Sequence, residues 1–425
     1  MRLRRFLPLL CIPLVIAACV ASMDRPIPPS PVPQPSVTPP KPPAIPARPS
    51  PAAPRPTADR LAQPAQKAGI SNSIDDLDMG SLEAAIERSL RYYEKLRDPS
   101  IRCGNRDIPV PELKESLAAF REIIRSSAPP DIKLNKIRDS FDFISSSGQN
   151  GNGAVLFTGY YVPVLEGSPV RTNRFQYPVY RKPDDLVALN SGKFNGNGRG
   201  EQQIGRMERG ELIPYYSRDE IDRKGVLEGR RLELFWVDDL IALYSLHVQG
   251  SGKIRMPDGR LIVVSYAQSN GRPFRSISKA LIEKGKMTDQ EVSYPNVQNY
   301  LKEHPEELRD LFSYNERYIF FRRSDGGPMG SLQFPVTSGR TIATDPDFFP
   351  KGALALIETR KPLFDADGRI RQWIPLSRFV LNQDTGAAIK GPARVDIFCG
   401  DGPDAEKMAG SFRERGELYL LLRKK

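Results

Sequence analysis

The stretch Arg394-Val395-Asp396-Ile397-Phe398-Cys399-Gly400-Asp401-Gly402 reads as a strand that runs into a tight turn. Side chains alternate across a strand, so Val395 and Ile397 face one way while Asp396 and Phe398 face the other. If the aliphatic pair fills a barrel, Asp396 points into whatever cleft lies outside it. A carboxyl beside an aromatic ring and shielded from water is disfavoured in its charged form; its pKa rises, and it can donate a proton to a leaving oxygen near neutral pH. Two other stretches set an aspartate beside tight turns, Arg340-Thr341-Ile342-Ala343-Thr344-Asp345-Pro346 and Gln383-Asp384-Thr385-Gly386-Ala387-Ala388-Ile389-Lys390-Gly391. Taken singly, each of the three aspartates is more simply read as a surface or turn-capping residue.

Outward from these stretches the texture is β-like. Short apolar runs at 155–163, 174–180, 232–237, 242–248, 261–266 and 318–321 are separated by Gly, Pro, Asn and Asp, and the last hundred residues are again β-rich. This is the pattern of a barrel or sandwich. Hairpin turns are expected at Pro257-Asp258-Gly259 and Asp365-Ala366-Asp367-Gly368. Helical spacing appears in Leu82, Ile86, Leu90, Tyr93 and Leu96 behind Asp78 and Ser81 as caps, and again in Leu113, Leu117, Phe120 and Ile124 after Pro111. A weaker third stripe runs from Asp131 through Leu134, Ile137, Phe141 and Ile144, and a helical interval spans 276–311. The coarse order is helices, barrel, helices, barrel.

The N-terminus has a different composition. Arg2, Arg4 and Arg5 precede an apolar stretch of 13 residues, Phe6 to Ala18, which is too short to span a bilayer and reads as a secretory signal. Its end, Ile16-Ala17-Ala18-Cys19, is similar to the bacterial lipoprotein box, in which cleavage exposes a cysteine for acylation. More than one acyl chain gives stable anchoring. Of the chain's 40 prolines, 16 lie between Pro26 and Pro64, so this part reads as a polyproline-type spacer.

Charge and composition exclude several functions. Of the net +11, +6 lies in residues 1–64, where eight Lys/Arg face two Asp; the remaining +5 is too mild to indicate nucleic-acid binding. With only His247 and His304, neither in a zinc-binding spacing, histidine chemistry is disfavoured. The four cysteines, Cys11, Cys19, Cys103 and Cys399, form no CxxC pair. Carboxylates remain the obvious acid and base groups.

The motifs RTIATDPDFFPKG (340–352), QDTGAAIKG (383–391) and VDIFCGDG (395–402) resemble the three-aspartate domain that closes the membrane-bound lytic transglycosylase A family. Upstream, FTGYYVPVLEGS (157–168), FQYPVYRKP (175–183), YYSRDEID (215–222), LHVQGSGKI (246–254) and GRPFRSISKALIEKG (271–285) are similar to its other motifs, in order, so the resemblance covers about 156–422. It implies a mainly β fold with N-terminal helices: a double-psi β-barrel domain with an inserted second small β-barrel domain and a groove between them. The boundaries expected are a lipoprotein signal peptide at 1–19, a Pro-rich disordered linker at 20–74, helices and the first part of the double-psi barrel at 75–165, the insert at 166–295, and the rest of the double-psi barrel at 296–425.

The resemblance further implies a peptidoglycan lytic exotransglycosylase without metal or cofactor. Asp396 matches the family's catalytic acid, with Asp384 and Asp345 supporting it. Substrate contacts are expected from Thr158, Gly159, Tyr160 and Tyr161, from Gln249, Gly250 and Ser251, and from Lys390, which could meet a carboxylate of the lactyl group or peptide stem. Cys19 would carry the lipid, and Val20 after it points to the outer membrane facing the periplasm of a Gram-negative bacterium. The expected partners are peptidoglycan glycan strands and, beyond them, cell-wall synthesis or division proteins, with the chain a monomer. In an oxidising periplasm a Cys103–Cys399 disulfide stays open. Two alternatives also remain: a muramidase that uses water with Asp384 and Asp396, and a non-catalytic peptidoglycan-binding lipoprotein.

Overall fold

A computed structural model of the chain describes residues 61–64, 75–103, 106–148, 153–190 and 202–425. The signal peptide, Cys19, most of the linker and the Gly/Asn-rich stretch at 195–200 lie outside the described residues. Leu61–Pro64, inside the expected linker, forms a strand (β1) that pairs antiparallel with Phe141–Ser146 (β4).

The N-terminal helices form where the caps and apolar stripes place them. Met79–Lys95 (α1) starts at Asp78, whose carboxylate accepts the Ser81 N–H at 2.7 Å, and buries Leu82, Ile86 and Tyr93. Val110–Arg125 (α2) carries a proline in its first turn and buries Leu113, Leu117, Phe120 and Ile124. Between them Ser100–Cys103 (β2) and Arg106–Pro109 (β3) form a hairpin. The third stripe is only partly helical: Pro130–Ser140 (α3) ends before Phe141, and β4 pairs with the C-terminal strand Arg413–Arg423 (β19). The Phe141-Asp142-Phe143-Ile144 run suits a strand, where aromatic and β-branched side chains pack well against their neighbours.

The first barrel closes through six strands: Val155–Val162 (β5), Thr341–Ala343 (β15), Leu354–Phe364 (β16), Ile370–Asp384 (β17), Arg394–Asp401 (β18) and β19. The ring runs β19-β16-β17-β15-β18-β5 and returns to β19. The β15/β17 and β18/β5 pairs are parallel and the others antiparallel, in the double-psi barrel architecture. Val155, Phe157, Ile342, Val380, Val395, Ile397 and Leu418 fill the interior. α1 and α2 pack outside on Phe379, Leu381 and Leu420. Gly402–Ser411, a helix that follows β18, covers one end through Ala405 and Ala409.

The inserted barrel is built from Val164–Ser168 (β6), Tyr177–Tyr180 (β7), Glu233–Val237 (β11), Ser251–Arg255 (β12), Leu261–Ser269 (β13) and Ile319–Ser324 (β14), in the order β14-β13-β12-β6-β11-β7. A bridge between Arg181 and Phe321 links the two ends. β14, which falls after the 295/296 boundary expected from sequence, pairs with β13 in this sheet. Val187–Asn190 (β8), Gln202–Glu208 (β9) and Glu211–Pro214 (β10) form a small separate sheet. Both expected hairpin turns are present, with Gly259 at φ +83° and Gly368 at φ +78°.

One run expected as a strand, 242–248, is helical. The short helix Arg218–Asp222 (α4) precedes it in the chain, and Leu240–Gln249 (α5) contains it, capped by the Asp239 carboxylate, which accepts the Ile241 and Ala242 N–H groups at 2.7 and 3.1 Å. A short apolar run cannot be assigned by periodicity alone, and here the cap decides. The helical interval resolves into Ile277–Glu283 (α6), Tyr294–Glu303 (α7) and Leu308–Tyr314 (α8), so Gly402–Ser411 is α9. Cys103 and Cys399 are free thiols, not a disulfide: Cys103 lies in the core beneath α1 and α2, and Cys399 packs beside Tyr161 and α9. Burial pushes each thiol up to about 12.

Candidate active site

The register of the first barrel lays one rung across five strands. Asp384 on β17 and Asp396 on β18 are both Cα partners of Ala343 on β15; Asp396 is the partner of Thr158 on β5, and Thr158 of Arg413 on β19. Directly opposed residues share a face. Because Val395 and Ile397 fill the barrel, this rung faces outward, as alternation required of Asp396. Pairing of β15 with β17 slips by one residue at Gln383, and such an irregularity re-aims side chains. Gln383 turns its amide to α1, donating to Ala85 O at 2.7 Å and Ser89 Oγ at 2.9 Å, while Asp384 joins the rung.

The two carboxyls are held differently. Asp396 is part-buried, and its Oδ1 accepts the Thr158 hydroxyl at 2.6 Å; among the described residues its other oxygen has no hydrogen-bond partner. Burial raises the Asp396 pKa, against the opposing pull of the Thr158 hydrogen bond and the Arg394 guanidinium. Arg394 also donates to the Thr158 oxygen at 3.2 Å, so the hydroxyl is oriented between guanidinium and carboxyl. Asp384 accepts on both oxygens: the Ser331 and Thr385 N–H groups at 3.0 and 2.8 Å on Oδ1, and the Tyr160 hydroxyl at 2.9 Å on Oδ2. Burial still raises its pKa to about 6, with the Lys351 ammonium and those donors pulling down.

The other sequence-expected residues divide by strand parity. Thr158 and Tyr160 stand on the aspartate face, with the Tyr160 ring 5.2 Å from that of Phe398. Gly159 and Tyr161 face α9 instead. A Cβ at Gly159 would lie 2.7 Å from Ala409 Cα, and the buried Tyr161 hydroxyl donates to Glu406 at 3.0 Å and sits 3.1 Å from that of Tyr294. Gln249 reaches across from α5, its Oε1 accepting the Tyr161 N–H at 3.1 Å. Gly250 ends α5 at φ +78°, where a side chain would be strained, and Ser251 opens β12. The buried Asp345 accepts the Gly391 N–H at 2.8 Å, with the exposed Lys390 ammonium 3.9 Å away, so it ties the 383–391 loop to the barrel.

The groove is bounded by both barrels. Gln249 and Lys253 of the insert bond to Tyr161 and Asp401 of the first barrel, respectively, the latter as an ion pair. Ser331, on the return from the insert, meets Asp384. Sequence reading passed over Arg394, Lys351 and Ser331. Arg394 could have been found, since the alternation that pairs Asp396 with Phe398 adds Arg394 two residues earlier. Ser331 and Lys351 reach the site through loops and carried no local signal.

Two six-stranded barrels with a shielded carboxyl on the rung beside their groove define a two-barrel protein with a candidate acid at that groove. The MltA specific insert domain matches residues 156–322 and the 3D domain residues 340–422. A membrane-bound lytic murein transglycosylase A of Escherichia coli K12 is 32% identical over 277 residues, 64% of this chain and 67% of that protein; one from Vibrio cholerae is 31% identical over the same shares. Among solved structures, a membrane-bound lytic murein transglycosylase from Agrobacterium tumefaciens is similar with TM-score 0.67 at 29% identity, covering 81% of this chain and 93% of that one. The E. coli MltA structure with bound chitohexaose gives 0.64 at 25%, covering 85% and 95%. The chain belongs to the membrane-bound lytic murein transglycosylase A family.

Proposed function

We propose that this chain cleaves the β-1,4 bond between N-acetylmuramic acid and N-acetylglucosamine in peptidoglycan, leaving 1,6-anhydromuramoyl ends, with Asp396 as acid and then base. The observation that carries the reading is the contrast in the rung: Asp396 is raised by burial and keeps one oxygen unengaged, whereas both oxygens of Asp384 are taken by protein donors. Neutral Asp396 gives its proton to the glycosidic oxygen as the bond to C1 breaks and an oxocarbenium-like centre forms. The resulting carboxylate takes the proton of the sugar's own C6 hydroxyl, whose oxygen closes onto C1. Asp396 is thereby reprotonated by the C6 hydroxyl, its original proton leaves on the freed 4-hydroxyl of the departing sugar, and no water is consumed.

A glycosidase that uses water needs a second carboxyl as nucleophile or base. Asp384, occupied as it is, supports the hydrogen-bonding frame of Tyr160 and the 383–391 loop instead. The chitohexaose bound to the E. coli relative is a β-1,4 glycan of the same backbone geometry and supports a groove that takes a glycan strand. Thr158, Tyr160 and the Gln249–Ser251 turn are the residues we place along it. The family name supports membrane association; acylation of Cys19 would anchor the chain to the outer membrane, facing the periplasm, and intact mass of the mature protein tests it. Purified Asp396→Asn incubated with sacculi should keep its fold and release no anhydro-ended muropeptides; full release would remove Asp396 from the chemistry.

A further inference from the structure

The outward face of the first barrel carries an arginine strip beside Asp396. Arg413 continues the rung beyond Thr158, and Arg415, two residues on, is the Cα partner of Leu156, which is itself the partner of Arg394. The register therefore gathers Arg394, Arg413 and Arg415 on three adjacent strands of one face. The burial pattern agrees: Phe412, just before β19, and Leu418 within it point into the core, while Arg413 and Arg415 are exposed. Arg413 lies near enough for its charge to depress the Arg394 pKa further, after burial.

Neither Arg413 nor Arg415 has a carboxylate partner among the described residues. The acids that could neutralise them are engaged elsewhere: Glu414 points to the other face and pairs with Arg360 at 2.6 Å, and Glu417 accepts the Tyr419 hydroxyl at 2.5 Å. Other surface arginines of the chain do find carboxylates, among them Arg174 with Asp238 and Arg230 with Asp185, both at 2.7 Å. Two unpaired guanidiniums beside a third that orients the acid's hydroxyl partner form a cationic strip whose backbone lies about 10–12 Å from that of Asp396 by strand spacing. That is the reach of a substituent on the sugar whose glycosidic oxygen meets the carboxyl. Guanidinium is suited to planar, bidentate binding of carboxylate.

Resting on the glycan-cleaving reading above, we propose that Arg413 and Arg415, with Arg394 at their inner end, form a subsite for carboxylate substituents of the glycan strand. Two sources share that chemistry, the carboxylates of the peptide stem and the lactyl carboxylate of a strand from which the stem has been removed.

The test measures KM and kcat for the mature chain and for Arg413→Glu/Arg415→Glu on stem-bearing strands and on strands stripped by an amidase, together with chitohexaose binding. On strands that carry the recognised carboxylate KM should rise about tenfold with kcat nearly unchanged, the scale of losing one or two charge-assisted hydrogen bonds, and chitohexaose binding should not move. A KM rise confined to stem-bearing strands assigns the stem, a rise confined to stripped strands assigns the lactyl carboxylate, and a rise on both shows that the subsite takes either carboxylate. Unchanged KM on both, or weakened chitohexaose binding of equal size, overturns the subsite. Failure of the unsubstituted chain to release anhydro-ended products overturns the catalytic reading instead, and binding of stem-bearing strands to Asp396→Asn with and without the two charge reversals then decides the subsite separately.

Discussion

Each barrel holds an aspartate whose pKa burial has raised, with an arginine as its chief electrostatic counterweight. In the insert, Asp222 sits 3.5 Å from the buried Arg218, which also donates to the carbonyls of Asn315 and Arg317 at 3.0 and 2.6 Å. In the first barrel, Asp396 meets Arg394 only through Thr158 and keeps an oxygen unengaged. The direction of shift is the same, but Asp222 helps close a core under Tyr318 and His247, whereas Asp396 lies on an outward rung at the groove. A raised carboxyl marks a candidate acid only where geometry leaves it something to do.

The comparison breaks most readily at the two aspartates. Asp396→Asn should lower the rate of anhydro-product release by about a thousandfold or more, while Asp222→Asn should change it by less than about threefold and lower stability by about 2 kcal/mol. Product assays with urea melts of both variants check this, and a comparable loss of activity in Asp222→Asn would erase the distinction. Next in size is Arg394→Ala. Arg394 pulls the Asp396 pKa down, so its removal raises that pKa and moves the alkaline limb of the rate profile to higher pH, with kcat lower by about tenfold as Thr158 loses its orientation. A pH–rate series checks the sign.

The barrels should also titrate in opposite directions. His247 is buried and, among the described residues, neither ring nitrogen has a hydrogen-bond partner; burial holds its pKa well below the ordinary value. A depressed histidine contributes stability above its unfolded pKa that is lost as pH falls, so acidification from about pH 6.5 should cost about 1 kcal/mol or more, and His247→Phe should remove that loss. Asp384, raised to about 6, behaves oppositely: its contribution is full below its unfolded pKa and fades as pH rises through about 6. Stability gained on lowering pH from 7 to 4 should shrink in Asp384→Asn by about 1–2 kcal/mol, read from melts at both pH values. The smallest effect is steric: Gly159→Ala should destabilise by about 1 kcal/mol through its contact with α9, without altering the rung.

Much of this was legible in the residues, and unevenly. Alternation in 394–402 gave the outward face of Asp396, and caps with 3.6-residue spacing gave α1 and α2, because both signals are local. The 242–248 run was misassigned because a continuous apolar run carries no period, and the discriminating residue, Asp239, lies outside it. Strand parity could have separated Thr158 and Tyr160 from Gly159 and Tyr161, but only pairing with β18 and packing by α9 say which face is the groove. The rung that joins Asp384, Asp396, Thr158 and Arg413 draws on four segments spread over more than 250 residues. Register between distant strands is set by tertiary pairing, and no local pattern encodes it.

The most direct test of the central claim is mass spectrometry of muropeptides released from sacculi by the purified chain in ¹⁸O-labelled water. An intramolecular closure governed by Asp396 predicts anhydromuramoyl ends that carry no label. Reducing ends bearing ¹⁸O would show that water, not the sugar's own hydroxyl, attacks the anomeric carbon, and would contradict the account.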